Sequence, residues 1–341
     1  MGQLKETKSI MQDKQSSLDG KAILVTGGTG SFGQAFIKRV LSDCRPSRLV
    51  VYSRDELKQF EMQQKISADS LRFFIGDVRD AERLNRALAG IDIVVHAAAL
   101  KQVPTAEYNP IECIKTNVIG AENVINACID QKVKKVIALS TDKAVNPVNL
   151  YGATKLCSDK LFVAGNHLSG KDGARFSVVR YGNVIGSRGS VVPFFKERVK
   201  EGKLPITDPQ MTRFWIRLED GARFVEQCLQ LMRGGEIFIP KIPSMRITEL
   251  ASAIGPDCKQ ETVGIRPGEK LHELLITRDD ARHTLEFDDF YIIQPDIHMW
   301  DYDDSAVYGK ERGRPVATDF EYASDSNTRW LDSTQLKAVI E

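Results

Sequence analysis

The chain has 341 residues, 42% of them apolar and 27% charged, with a formal net charge of +1. That balance suits a globular protein of one large or two fused domains, and argues against nucleic acid or an anionic membrane as the main partner. Six cysteines without a C-x-x-C pair and five histidines without an H-x-x-x-H pair argue against a metal site or disulfide framework, and for a reducing cytoplasm.

Residues 1–19 are polar, lack the apolar core of a signal peptide, and read as a mobile arm. No apolar stretch approaches the roughly 20 residues of a membrane span. Apolar runs at 22–26, 48–53, 71–77, 91–99, 133–140 and 175–182 predict strands. Helical periodicity falls at 31–41 and 55–66, with further helices near 80–89 and 110–131. Continuous apolar strands alternating with helices predict an α/β fold, a Rossmann-like doubly wound parallel sheet with helices on both faces. Ligands of such a sheet bind at the carboxyl ends of its strands. Beyond residue 183 the chain becomes rich in Gly, Pro and Ser. A dinucleotide-binding domain over 20–183 is expected. Residues 184–341 should form a smaller mixed substrate-binding region and a C-terminal tail, with some elements returning to the first domain.

Thr26-Gly27-Gly28-Thr29-Gly30-Ser31-Phe32-Gly33 joins the first strand to the first helix. Gly27, Gly30 and Gly33 would let the backbone approach a pyrophosphate at the helix N-terminus; the plain alternative is a βα turn. An acidic residue ending the second strand would select NAD. Here Ser53 and Arg54 stand there, suited to a 2′-phosphate, with Asp55 one place on, so NADP is expected. Otherwise Arg54 caps or solvates the next helix, whose first turn holds Asp55 and Glu56. Asp77 either meets the adenine amino group or caps a helix. Ala98, in His96-Ala97-Ala98-Ala99, lets the backbone lie against the cofactor, and His96 reads as a buried, satisfied histidine. Thr141-Asp142-Lys143 ends the fifth strand: a second acid/base set, or a polar turn. Tyr151 and Lys155 share a helix face at i,i+4, where the ammonium can lower the phenol's pKa and make Tyr151 a proton acceptor. A hydride-transfer set beside a separate acid/base pair suggests oxidation, chemistry at the neighbouring carbon, then reduction. Met211, Phe214 and Trp215 read as packing.

With VYSRDELKQ, FFIGDVRD, HAAALKQVP, ALSTDKA, LYGATKLCSDKLF, RYGNVIGSRGSVVPFF, MTRFWI and IRPGEKLHE, the chain from about residue 20 resembles the inverting UDP-N-acetylglucosamine 4,6-dehydratases of the extended short-chain dehydrogenase/reductase family. The resemblance implies UDP-N-acetylglucosamine as substrate, NADP as cofactor, the first step of pseudaminic acid biosynthesis for flagellin glycosylation, and dimers assembling into hexamers. Residues 110–131 and 149–165 would supply the dimer faces. It implies cofactor contacts at Glu56, Leu57, Gln59, Val78, Ser140, Val184, Ile185, Gly186, Ser187 and Arg188. It implies substrate contacts at Lys101, Thr141, Asn183, Val191, Thr207, Arg213, Arg266 and Glu269, the arginines suiting a diphosphate.

In the implied mechanism Tyr151 accepts the proton of the sugar 4-hydroxyl, with Lys155 on the ribose and Thr141 on the 4-oxygen. Lys143, neutral through a depressed pKa, removes the C5 proton, and Asp142, kept protonated by burial, protonates the departing 6-hydroxyl. Lysine after Thr-Asp, where retaining enzymes carry glutamate, points to inversion. Lys143, Tyr151 and a water remain open as the group that reprotonates C5. A nucleotide-sugar 4-epimerase would not need Asp142 and Lys143, and a non-catalytic NADP-sensing module would bind without turnover.

Overall fold

The computed structural model describes residues 16–186, 190–298 and 300–340. The expected arm therefore lies outside the described residues up to position 15. From Ser16 the chain is packed, contrary to an arm reaching 19. Leu18 is fully buried, a side chain whose burial contributes about 1.5–3 kcal/mol. Asp19 accepts from the Arg45 N–H at 2.7 Å.

Six strands form on the six apolar runs: β1 (Ala22–Thr26), β2 (Arg48–Ser53), β3 (Leu71–Ile75), β4 (Ile93–His96), β5 (Lys135–Thr141) and β6 (Arg175–Tyr181). Every residue of β1 and β4 is buried. Successive strand side chains point to opposite faces, so both faces of the sheet are covered. The covering helices are α1 (Ser31–Asp43), α2 (Glu56–Gln63), α3 (Ala81–Ala87), α4 (Val103–Tyr108), α5 (Pro110–Ile114), α6 (Gly120–Asp130) and α7 (Leu150–Ser169).

The helix expected over 110–131 is not continuous. Between α5 and α6 the chain passes through a π-helical stretch, Lys115–Ile119. Its Asn117 is buried and grips Leu100 at both N (2.8 Å) and O (2.9 Å) while donating to Thr154 Oγ1 at 3.0 Å. The wider turn thus ties the segment after β4 to α7, a use typical of π insertions near functional sites.

Past β6 come β7 (Asn183–Val184), α8 (Val191–Arg198), β8 (Lys203–Ile206), β9 (Thr212–Ile216), α9 (Leu218–Leu231), β10 (Ile237–Pro240), β11 (Ser244–Arg246), α10 (Ile247–Ile254), β12 (Lys259–Thr262), β13 (Leu274–Ile276), β14 (Thr284–Glu286) and β15 (Phe290–Ile293). The large sheet runs β3-β2-β1-β4-β5-β6-β10, all parallel, then β15, β14 and Arg314–Pro315, each antiparallel to its neighbour. So β10, β14 and β15 return to the first sheet, and α9 packs on α1. Strand order reverses between β1 and β4, which opens a crevice at their carboxyl ends.

A second core holds Phe195, Leu204, Met211, Trp215, Met245 and Leu250, while Phe214 is buried in the main one. No helix among the described residues is long and apolar enough to cross a membrane.

Candidate active site

A cavity of about 620 Å³ follows the carboxyl ends of the strands. Gly27, Thr29, Gly30, Ser31, Phe32 and Gly33 line one end. Gly27 has φ +65°, and a Cβ there would lie 2.8 Å from the Ala98 backbone nitrogen. A Cβ on Gly33 would meet Gly28 Cα at 2.6 Å. Glycine is therefore required at both, for a left-handed turn and for close packing of α1 on that turn. No side chain caps the N-terminus of α1, which leaves its N–H groups suited to an anion. These features fit a dinucleotide.

At the end of β2, Ser53 Oγ lies 2.8 Å from Thr29 Oγ1. Arg54, half exposed, reaches Asp77 Oδ2 at 3.6 Å. Asp55 caps α2, accepting from Lys58 N at 3.0 Å, so the capping residue is Asp55 rather than Arg54. Asp77 is not the cap of α3; Asp80 is, accepting from Arg83 N at 2.9 Å. Burial would raise the Asp77 carboxyl, but hydrogen bonds from Arg79 and the charge of Arg54 hold it below its usual value. Ser53, Arg54, Asp55, Asp77, Val78, Ala98 and Ser140 line the cavity, joined by Lys58, which sequence reasoning missed.

Three expected cofactor contacts in α2 lie outside this cavity wall. Gln59 is buried and donates to Ser53 O (2.8 Å) and Phe74 O (3.0 Å), stitching the ends of β2 and β3 together. Leu57 is 66% exposed, and neither it nor Glu56 belongs to the cavity lining.

The other end of the cavity carries Thr141, Lys143, Tyr151, Lys155, Asn183 and Val184, with Lys101 at the rim. β5 delivers Thr141, a short 3₁₀ turn (Asp142–Ala144) delivers Lys143, and α7 delivers Tyr151 and Lys155. Lys143 Nζ lies 3.1 Å from Asp142 Oδ1, 3.1 Å from Glu273 Oε1 and 3.4 Å from Asn183 Oδ1. Thr141 Oγ1 donates to Asp142 Oδ1 at 2.9 Å. Asp142 is fully buried behind these groups and is not itself part of the cavity wall.

The electrostatics agree with one sequence expectation and overturn two. Burial, reinforced by the Glu273 carboxylate, raises the Asp142 pKa, as expected. Lys143 was expected to be depressed. Burial does push it down, but the carboxylates of Asp142 and Glu273 outweigh that and hold it above its ordinary value. Tyr151 was expected near neutrality through Lys155. Burial instead raises it to about 12, and the opposing influences come from Lys143 and Thr141. Burial lowers Lys155 itself, partly countered by Asp159.

The expected substrate contacts divide. Lys101, Thr141 and Asn183 line the cavity; Val191, Thr207, Arg213, Arg266 and Glu269 do not. Arg213 is buried, and its donors go to Thr212 O (2.7 Å), Leu271 O (3.0 Å) and Lys270 O (2.9 Å). Three of its N–H groups are thus engaged by backbone carbonyls. Arg266 pairs with Glu269. Ile185 and Gly186 also lie outside the cavity wall, and Ser187 and Arg188 lie outside the described residues. Glu273 was missed, although it stands in the segment IRPGEKLHE as an acid directly ahead of the apolar strand β13. Its burial and its approach to Lys143 are tertiary, and spacing does not encode them.

A family model described as "Polysaccharide biosynthesis protein" matches residues 23–295. The chain is 56% identical over 326 residues to the UDP-N-acetylglucosamine 4,6-dehydratase (inverting) of Campylobacter jejuni subsp. jejuni, covering 94% of this chain and 98% of that protein. It is 42% identical over 330 residues to a UDP-glucose 4-epimerase of Rickettsia canadensis, covering 94% and 95%. Among solved structures, Pen from Bacillus thuringiensis superposes with a TM-score of 0.85 at 35% identity, over 95% of this chain and 98% of that one. DesIV, a dTDP-glucose 4,6-dehydratase from Streptomyces venezuelae with NAD and TYD bound, superposes with a TM-score of 0.66 at 25% identity, over 73% and 86%.

Proposed function

The chain belongs to the polysaccharide biosynthesis protein family, within the extended short-chain dehydrogenase/reductases, and is a nucleotide-sugar 4,6-dehydratase, a hydro-lyase; we propose that its substrate is UDP-N-acetylglucosamine and that it inverts C5. The observation that carries the reading is the Asp142–Lys143 pair, 3.1 Å apart beside Tyr151. It supplies acid/base capacity beyond what hydride exchange at C4 alone requires. The product is UDP-2-acetamido-2,6-dideoxy-β-L-arabino-hex-4-ulose, and the step is the first of pseudaminic acid biosynthesis.

A nicotinamide dinucleotide would be held by the Gly27–Gly33 turn and Lys155 and would supply a reversible hydride sink, so that the water loss carries no net redox change. We take it to be NADP, because Arg54 follows the end of β2 and Lys58 lines the same cavity from the first turn of α2, while Asp55 is engaged as the α2 cap. Arg54→Ala should raise the Kd for NADP roughly tenfold, the ~1.4 kcal/mol of one charge-assisted hydrogen bond, and leave that for NAD little changed. Equal losses for the two dinucleotides would refute the assignment.

Tyr151 takes the proton of the 4-hydroxyl. Burial holds its pKa at about 12, so the acceptor is the phenolate, a strong base, and the phenol's own proton must first leave to solvent through the cavity that Tyr151 lines. Oxidation at C4 acidifies the C5 proton, which Lys143 removes. Asp142 holds the proton destined for the departing 6-hydroxyl, and Thr141 Oγ1 links it to the cavity. The protein works as a homo-oligomer in the cytoplasm.

The test is incubation with UDP-N-acetylglucosamine and NADP in D₂O, followed by NMR and mass. The expected product has lost water and carries deuterium at C5 in the L-arabino configuration. An isomer of unchanged mass, the outcome suggested by the name of the rickettsial relative, would overturn the reading. Lys143→Ala should lower kcat by about 10²–10⁴ and abolish deuterium entry at C5; normal turnover by that variant would remove Lys143 from the mechanism.

A further inference from the structure

α7 carries three polar side chains at intervals of four residues, Tyr151, Lys155 and Asp159, and all three are buried. Residues four apart share one face of a helix. The first two line the cavity, whereas Asp159 lies behind its wall and has no task in the chemistry above. Asp159 is 1% exposed and Lys155 4%. A buried carboxylate is costly unless cations and donors answer its charge.

Two groups reach Asp159 from the sheet. Ser140 Oγ, on β5, donates to Oδ2 at 2.7 Å, and Arg180 Nη2, on β6, approaches the same oxygen at 3.4 Å. Ser140 and Arg180 stand opposite each other in the β5–β6 register. Arg180 sends Nη1 to Leu275 O at 3.1 Å, and its Nε has no partner among the described residues, so it does not grip both carboxylate oxygens. The second oxygen, Asp159 Oδ1, is buried and also without a hydrogen-bond partner among the described residues. One buried acid is thus shared by two buried cations: Arg180, which touches it, and Lys155, one turn earlier on the same helix face.

Lys155 depends on that acid more than Arg180 does, because a guanidinium stays charged when buried and an ammonium readily gives up its proton. Burial lowers the Lys155 pKa, and Asp159 is the acid that opposes it. The other titratable groups packed around this face do not supply the missing charge. His96, from β4, is neutral, with its pKa lowered to about 3 by burial and by Lys155 itself. Tyr151 and, from β6, Tyr181 are both raised by burial and stay phenols at rest. Asp142 and Glu273 are each 3.1 Å from Lys143 and are taken up with that lysine.

We propose that Asp159 is a positioning residue, the fixed counter-charge that keeps Lys155 an ammonium at the cavity wall, with Ser140 and Arg180 holding it in place. An ammonium offers three donors to a ribose and a positive charge beneath the nicotinamide end; a neutral amine offers less of both. The same arrangement fixes Ser140. Its one proton is committed to Asp159, so towards the cavity that it lines its hydroxyl can only accept. What the ammonium holds rests on the dinucleotide reading above, while the pairing of Asp159 with Lys155 does not.

The test follows Lys155 in the full chain, stripped of dinucleotide and labelled with ¹³C-lysine, its resonance assigned through Lys155→Arg. Asp159→Asn should move the Lys155 titration to lower pH, and Asp159→Glu should restore most of the wild-type curve. Arg180→Gln removes the competing cation and should move the titration to higher pH. An unchanged Lys155 titration in Asp159→Asn overturns the proposal; where that variant does not fold, an unchanged titration in Arg180→Gln does so. Dinucleotide binding gives a second readout. At pH 9 Asp159→Asn should bind NADP about tenfold more weakly than the wild type, through loss of a charge-assisted hydrogen bond, and at pH 6 nearly as well. An equal loss at both pH values marks a merely structural role and overturns the proposal. The two readings fail separately: a wild type that binds no dinucleotide refutes that assignment, and the Lys155 titration still decides whether Asp159 governs its charge.

Discussion

His96 closes β4 with 1% of its surface exposed, and its Nδ1 lies 2.8 Å from Thr26 Oγ1. Burial, with Lys155 adding to it, lowers its pKa from 6.5 to about 3. A folded-state value below the unfolded one means that the unfolded chain binds the extra proton first. The stability contribution is therefore complete above pH 6.5 and is lost as pH falls toward 3. By pH 5 the loss should be about 2 kcal/mol. Thermal melts at pH 7 and pH 5 check this: His96→Gln should show a smaller drop in Tm than the wild type, and equal drops would count against a neutral, buried His96. This histidine was legible in the sequence because a polar residue closing an apolar strand is carried into the interior with it and must find a partner there. Lys143 and Tyr151 were misjudged because the sign of a buried group's shift depends on which charges lie within a few ångströms. For Lys143 the raising charges are its neighbour Asp142 and then Glu273, the second supplied by a distant part of the chain.

Elements whose signal is local were the legible ones. β1 and β2 occupy the limits read from their apolar runs, and the turn after β1 needs glycine where the motif has it. The π-helical stretch after α5 was not legible, because the periodicity of 110–131 changes by only one residue per turn there. Nor was the pairing of α7 with the loop ahead of β13. Asn149 caps α7, accepting from Gly152 N at 2.8 Å, while its Nδ2 holds Gly268 O at 2.7 Å. One side chain thus starts the helix bearing Tyr151 and Lys155 and anchors the loop bearing Lys270 and Glu273. Asn149→Ala should cost about 1–2 kcal/mol for the cap in urea unfolding. Turnover should fall as well, since both halves of the acid/base cluster lose a common tether. Asn149→Asp preserves the cap acceptor but not the Gly268 bond, so it should recover stability more than turnover. Equal recovery of both would show that the tether to Gly268 does nothing for the chemistry.

At the scale of the whole molecule, one short segment carries several of the exposed large apolar side chains. Tyr108 is 87% exposed, Ile111 58%, Ile119 43% and Ile114 36%, all within α4, α5 and the π-helical stretch that follows. Scattered apolar residues are ordinary on a protein surface, but four within residues 108–119 make this segment the place to test for a contact with another copy. The surface is continuous with the site: Thr116, in the same stretch, lines the cavity, and Asn117 fixes Leu100. A second copy of this chain packed on that side would hold the stretch in its wide turn and so stabilise one wall of the cavity. Size-exclusion chromatography with light scattering should therefore find the wild type as a dimer or a multiple of dimers at micromolar concentration. The double variant Tyr108→Glu, Ile111→Glu places two charges in the contact and should run as a monomer. If the contact supports the cavity wall, that monomer should also bind cofactor and turn over less well, with the loss relieved as protein concentration rises. A wild type that stays monomeric, or a monomeric variant of undiminished activity, would separate this apolar side from the working of the site.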